Sequence, residues 1–181
     1  MRAKVLALDT ATPFLVLGLP QAERAVRLGR RHAEALWPEL EAFLADCRVR
    51  LADLEGIAVG RGPGSYTGLR IGVSAGLGLA RGLGIPAVGV DTLMGVALRY
   101  RGLVTVAHTA RNRLVYAAAY RVTDGEHPEV KELRPPRKIP LEQLEGEGVF
   151  SLDEPPSGRA LAHLGSRALR SGKRGIEAVY L

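Results

Sequence analysis

Gly68, Gly72, Gly76 and Ala80 recur every four residues between Thr67 and Arg81. In a helix that spacing puts all four on one face. A helix-interior glycine costs roughly 1 kcal/mol against alanine, so the fold must supply something that offsets the loss. A stripe of small residues does so by letting another backbone approach closely. That backbone belongs either to the same domain or to a second subunit. In the second case Gly68, Gly72, Gly76 and Ala80 form a partner seam, and Gly76→Leu abolishes association while leaving the monomer folded.

The segment ahead of this helix, Gly60-Arg-Gly-Pro-Gly-Ser-Tyr-Thr-Gly-Leu-Arg70, is the densest local signal. It follows a buried-type strand at Gly56–Gly60 and ends at Ser65 or Thr67, either of which suits a helix cap. A glycine-rich loop before a helix also presents backbone N–H groups to anions. It lacks the Gly-Lys-Ser/Thr ending of a P-loop, and its glycines miss the dinucleotide spacing. A structural turn is therefore favoured, with Arg61 and Arg70 as candidate anion or RNA contacts.

Around this unit the chain alternates strands and helices. Lys4–Asp9 and Phe14–Leu19 read as a hairpin, with a third strand at Ala25–Gly29. His32–Cys47 carries apolar residues at Leu36, Leu40, Phe43 and Leu44, the stripe of an amphipathic helix, with Pro38 either kinking it or delaying its start. Ile85–Val90 is a strand and Thr92–Arg101 a helix. A looser second set follows. Leu103–Ala107, Arg113–Val122 and Val130–Leu133 read as strands and Leu141–Leu144 as a short helix. Val149–Leu152 is a further strand, Arg159–Arg170 a helix and Ile176–Tyr180 a closing strand. Two runs of three strands, helix, strand, helix predict a duplicated α/β architecture of mixed sheets flanked by helices. The break falls near Tyr100–Gly102, dividing residues 1–100 from a smaller unit at 101–181.

Composition narrows the functional classes. The net charge is +6, and lysine supplies only four of the 25 basic residues. An anionic partner, nucleic acid or acidic protein, would fit such a surface, as would a merely solvated one. Cys47 is the only cysteine, which excludes an internal disulfide. No apolar run reaches the roughly 18 residues of a spanning helix, and the opening reads as a strand rather than an export signal; the expected compartment is the cytoplasm.

Catalytic constellations are missing. His32 opens a helix, but four residues on, where a helical metal site wants a second histidine, stands Leu36. His108, His127 and His163 show no ligand spacing. Asp9 and Thr10 sit where a hairpin could hold a phosphate or a metal-bound water, yet Asp9-Thr-Ala-Thr12 has no glycine to wrap one. Ser65 lacks a Gly-x-Ser-x-Gly elbow and an evident base.

Taken together, LALDTAT at the start, the helix opening at His32 with Leu36 and Pro38, Ala58–Gly72 (AVGRGPGSYTGLRIG) and Leu83–Leu93 (LGIPAVGVDTL) resemble the TsaB/YeaZ family. Ala110-Arg111 and Val115-Tyr116 are similar to its Asp-Ala-Arg and Val-Tyr, with Thr109 in place of the aspartate. Val179-Tyr180-Leu181 resembles its closing motif. The resemblance implies an ASKHA (actin/Hsp70/sugar-kinase-like) fold. It further implies a non-catalytic scaffold in the transfer of threonylcarbamoyl to a tRNA adenosine. The implied partners are TsaD, the catalytic paralogue that holds a metal through two histidines, and the ATPase TsaE, with tRNA in the complex and self-pairing when TsaD is absent. No cofactor is implied on this chain; ATP and a divalent metal are expected on the partners. The implied contact surface is the pair of helices carrying His32, Leu36, Leu40 and the small-residue seam. An ASKHA-type ATPase or phosphotransferase using Asp9, a peptidase and a basic tRNA-binding module are the alternatives.

Overall fold

Val5–Asp9 (β1) is buried along its whole length and apolar up to Asp9, as a strand covered on both faces must be. In the computed structural model, which describes residues 4–125 and 128–181, β1 sits at the centre of a five-stranded sheet. Phe14–Leu19 (β2) and Ala22–Arg27 (β3) meander away from it antiparallel. After the helix His32–Asp46 (α1), Gly56–Gly60 (β4) pairs parallel with β1. After the helix Tyr66–Leu83 (α2), Ala87–Val90 (β5) pairs parallel with β4, giving the order β3-β2-β1-β4-β5.

Alternation along these strands separates two cores. Leu6, Leu8, Leu15, Leu17, Ile57 and Val59 pack with Leu36, Leu40, Phe43 and Leu44 of α1 and with Ala75 and Ala80 of α2. Val5, Ala7, Val16, Ala58 and Val90 face the other way, onto Leu161 and Ala162. These last two come from Gly158–Arg170 (α4), the final helix. The helix Thr92–Ala97 (α3) instead packs Leu93, Val96 and Ala97 onto the second sheet. That sheet has the order β8-β7-β6-β9, built from Gly102–Thr109 (β6), Leu114–Val122 (β7), Val130–Pro140 (β8) and Val149–Leu152 (β9). A boundary near residue 100 thus separates the sheets but not the cores: each lobe takes a helix from the other side of it.

Several elements differ from expectation. α1 starts at His32 and runs through Pro38; the prolyl ring removes a bond to the Glu34 carbonyl, and both residues are exposed, where water replaces it. β3 is displaced toward the chain start because Leu28 and Gly29 turn back to donate to the Pro13 carbonyl at 2.9 and 3.0 Å. α3 stops at Ala97, short of Arg101, where the Arg99 guanidinium donates to the carbonyls of Pro155 and Pro156. β8 extends to Pro140 through Pro135 and Pro136, which an edge strand tolerates because one row of its N–H groups has no ladder to serve. Leu141–Gln143 forms a single 3₁₀ turn. Ile176–Tyr180 is not a strand: Gly175 makes one bridge to Val88, and the segment then climbs away from the sheet to Arg61.

Candidate functional site

α2 starts cleanly because the Ser65 hydroxyl accepts from the Gly68 N–H at 3.3 Å, and it ends at Gly84 in the left-handed conformation. Its small-residue face is turned inward. A Cβ added at Gly68 would lie 2.1 Å from the Thr10 carbonyl oxygen, at Gly72 2.4 Å from Thr10 Oγ1, and at Gly76 2.2 Å from Val59 Cγ2. Ala80 is buried in the same core. The backbone that approaches the seam is therefore the chain's own sheet. This corrects the partner-seam expectation for Gly68, Gly72, Gly76 and Ala80, and with it the expectation that Gly76→Leu spares the monomer. Leu36 and Leu40 are likewise core residues, 1% and 3% exposed, and His32 is 4% exposed.

The opposite faces of α1 and α2 carry what the surface offers a partner. Trp37 on α1 and Leu77 on α2 are 51% and 45% exposed, and Leu51, in the 3₁₀ turn Leu51–Asp53 after α1, is 41% exposed. Trp37, Leu40, Leu44, Val49, Leu51 and Leu79 line an apolar groove of about 430 Å³ between the two helices. Leu40 alone of the expected contact residues reaches it.

The polar candidates are mostly committed to the fold. Asp9 is fully buried; its Oδ1 accepts from the Ala11 N–H at 2.8 Å and its Oδ2 from the Thr92 hydroxyl at 2.6 Å. The Thr92 oxygen in turn accepts from the Gly62 N–H at 3.1 Å. Burial raises the Asp9 carboxyl above its ordinary range, while the bonds from Thr92 and Ala11 pull it down. Thr10 donates its hydroxyl to the Gly68 carbonyl at 2.6 Å. Arg61 Nε donates to Asp91 Oδ1 at 2.9 Å. Asp9, Thr10 and Arg61 are thus structural pins rather than free anion contacts. Arg70 stays exposed, its guanidinium 5.5 Å from the Tyr66 ring centroid.

Between the lobes lies a cleft of about 830 Å³. The β1–β2 turn, Gly29 and Arg30 ahead of α1, His32 and the first turn of α2 form one wall. His108, Thr109, Ala110 and Arg111 at the β6–β7 turn, with Tyr116 and Lys138, form the other. Thr109, at the position where the resemblance places an aspartate, receives a carboxylate from elsewhere: Asp153 accepts from the Thr109 N–H and hydroxyl, both at 2.6 Å. His108 Nδ1 stands 3.7 Å from the same carboxylate, an ion-pair separation rather than a hydrogen bond. His108 and the Thr109 donors hold the Asp153 carboxyl down at about 2. Neither His108 nor Asp153 was singled out from sequence. A polar residue continuing the buried face of Val104 and Val106 was the available signal. His127 lies outside the described residues. Among the described residues no group of three or more His, Cys, Asp or Glu could hold a metal, and no helix is long and apolar enough to cross a membrane.

Two mixed sheets with exchanged helices and a cleft between them define an ASKHA-like protein of the TsaD type, and the family model for TsaD, tRNA N6-adenosine threonylcarbamoyltransferase, matches residues 26–135. Over 166 residues the chain is 34% identical to the tRNA threonylcarbamoyladenosine biosynthesis protein TsaB of Escherichia coli, covering 81% of this chain and 69% of that one. Two solved structures of YeaZ-like proteins from Pseudomonas aeruginosa, one described as similar to peptidase YEAZ, superpose with TM-scores of 0.86. They are 25% and 26% identical and cover 99% of this chain and 99% and 100% of theirs. The chain belongs to the TsaB/YeaZ family. It is also 42% identical over 123 residues to an uncharacterized Mycobacterium tuberculosis protein, where the match covers 64% of this chain and 58% of the relative's length.

Proposed function

We propose that this chain is a non-catalytic scaffold in tRNA threonylcarbamoyladenosine formation, docking a TsaD-like catalytic paralogue on the outer faces of α1 and α2 and acting with TsaE. The apolar groove beside Trp37 and Leu79 is the observation that carries the proposal. Exposed large apolar residues gathered at one groove are the usual mark of a protein–protein contact. The same surface would pair two copies of the chain when TsaD is absent. ATP and the divalent metal would sit on the partners, tRNA would be held by the assembled complex, and the site of action would be the cytoplasm. The ATPase alternative loses support from the saturated hydrogen bonds of Asp9.

Reconstitution of tRNA threonylcarbamoylation with TsaD, TsaE, ATP and the activated donor tests the proposal. Product should require this chain, and the chain alone should neither hydrolyse ATP nor modify tRNA. Trp37→Ala and Leu77→Glu should each abolish co-sedimentation with TsaD while leaving the monomer folded, since both side chains are about half exposed. Full activity without the chain, or unaltered binding by both variants, would remove the scaffold role or its surface.

A further inference from the structure

We infer that the open edge of β9 is a docking site for an extended, basic segment of a partner protein, which joins the second sheet as an added strand. This surface lies on the second lobe, not on α1 or α2, and does not depend on the scaffold role. β9 ends the sheet order β8-β7-β6-β9, so no strand among the described residues lies on its far side. It pairs parallel with β6, and the Asp153 N–H just beyond it donates to the Ala107 carbonyl at 3.0 Å. Backbone groups along such a strand turn alternately to one side and the other. The N–H and C=O of Phe150 and Leu152 therefore point away from β6. A row of unpaired donors and acceptors is a template for another strand.

Natural edges carry devices against such pairing, and the two edges of this sheet differ in them. β8, at the opposite edge, has Pro135 and Pro136 in its run and carries Lys131, Arg134, Arg137 and Lys138. β9 has neither a proline nor a charged residue in Val149-Phe-Ser-Leu152. Its exposed side chains are all apolar: Val149, Phe150 and Leu152 are 40%, 47% and 42% exposed, and Ser151 is buried. Phe150 and Leu152 lie opposite Thr105 and Ala107 in the parallel register and share a face with them. An added strand would cover both with its own alternate side chains, as cross-strand pairs do.

Charge names the class of the occupant. Residues 141–154 hold five acidic side chains, Glu142, Glu145, Glu147, Asp153 and Glu154, and no Lys or Arg, in a chain whose net charge is +6. Glu142 and Glu145 are exposed, and Glu147 reaches only Arg134, at 3.5 Å. An RNA phosphate would be repelled here. A second copy pairing antiparallel through its own β9 would set Glu147 beside Asp153 and Glu154, and like charges directly opposed destabilise a sheet. A second copy's β8 would bring Pro135 and Pro136, which have no N–H to donate. The occupant that fits is an extended segment with apolar residues at alternate positions, flanked by Lys or Arg.

The test titrates the full-length ¹⁵N-labelled chain with the amidated peptide Lys-Lys-Val-Thr-Val-Thr-Val-Lys-Lys, and with a control in which glutamate replaces every lysine. The basic peptide should shift the Phe150 and Leu152 amide signals saturably and slow their exchange with solvent. The acidic one should bind about tenfold more weakly or not at all. Leu152→Pro removes an N–H from the open side only and touches no bond between β6 and β9; it should weaken binding by about tenfold or more. Glu145→Gln combined with Glu147→Gln leaves the backbone untouched and should weaken it by about threefold to tenfold, the loss of exposed ion pairs. Phe150 and Leu152 signals that do not move saturably below about 1 mM peptide overturn the site. So does equal binding of the two peptides, or an affinity that either variant leaves unchanged. Sedimentation of the chain alone is the remaining arm: a dimer that Leu152→Pro disperses would overturn the foreign partner by making a second copy the occupant.

Discussion

Alanine substitutions at three glycines of α2 should move stability in different directions, although all three replace glycine in one helix. Gly78 is exposed and a Cβ there meets nothing within 4 Å, so Gly78→Ala gains the helix-propensity term, about 1 kcal/mol. At Gly76 the added Cβ falls 2.2 Å from Val59 Cγ2, and restoring even a tight 3.4 Å contact needs a movement of about 1.2 Å. Val59 is fully buried and β-branched, so it cannot rotate aside. Overpacking of this kind costs about 1–3 kcal/mol. Taking the upper end and subtracting the propensity gain leaves a net loss of about 2 kcal/mol. Gly68→Ala meets the Thr10 carbonyl oxygen at 2.1 Å, and a backbone atom yields less than a side chain; its loss should be at least as large. With a urea slope near 2 kcal/mol/M, the midpoint should rise by about 0.5 M for Gly78→Ala and fall by about 1 M for Gly76→Ala. Urea unfolding followed by circular dichroism reads both. Equal midpoints for the two variants would refute the packing of α2 on β4. So would a folded Gly76→Leu monomer that has lost only its ability to associate.

Two further substitutions probe the polar pins. Thr92→Val strands both Asp9 Oδ2 and the Gly62 N–H and should cost about 2–3 kcal/mol in urea unfolding; a loss below about 0.5 kcal/mol would mean that the bridge does not hold β1 to α3. Asp153 titrates at about 2 in the fold against an ordinary 3.8, so its stabilisation is present above 3.8 and lost as pH falls through about 2. Its side chain is 48% exposed, so solvent screening leaves under about 1 kcal/mol. In that window the stability of Asp153→Asn should fall less steeply with acid than that of the unaltered chain; parallel curves would show that Asp153 gains nothing from Thr109 and His108.

Much of the fold was legible because its signals are local. β2, β4 and β9 carry their bounds in their sequence, and the Ser65 cap with Gly84 beyond the last turn marks α2. What escaped depends on contacts distant in sequence. Four-residue spacing announces that some backbone approaches α2, but nothing in the helix says that the backbone is Thr10 and Val59 rather than a partner. Pro135 and Pro136 hid most of β8, since edge position is a property of the assembled sheet. Asp9, Thr10 and Arg61 look like ligand groups until Thr92, Gly68 and Asp91 are seen to occupy them. The His108–Asp153 pair joins residues that only β6 and β9, pairing in parallel, bring together.

The same contacts that close the first hairpin to a polyphosphate also hold α2. The Ser65 N–H donates to the Ala11 carbonyl at 2.8 Å, Gly64 lies so close to Ala11 that a Cβ would come 2.2 Å from that oxygen, and Thr10 bonds the Gly68 carbonyl. The turn has become the socket for the helix start. A turn free to grip a phosphate would leave α2 unanchored at this end, and with it the wall of the apolar groove that Leu79 supplies. A rigid docking face and a β1–β2 turn engaged with the start of α2 are therefore one structural arrangement rather than two independent features.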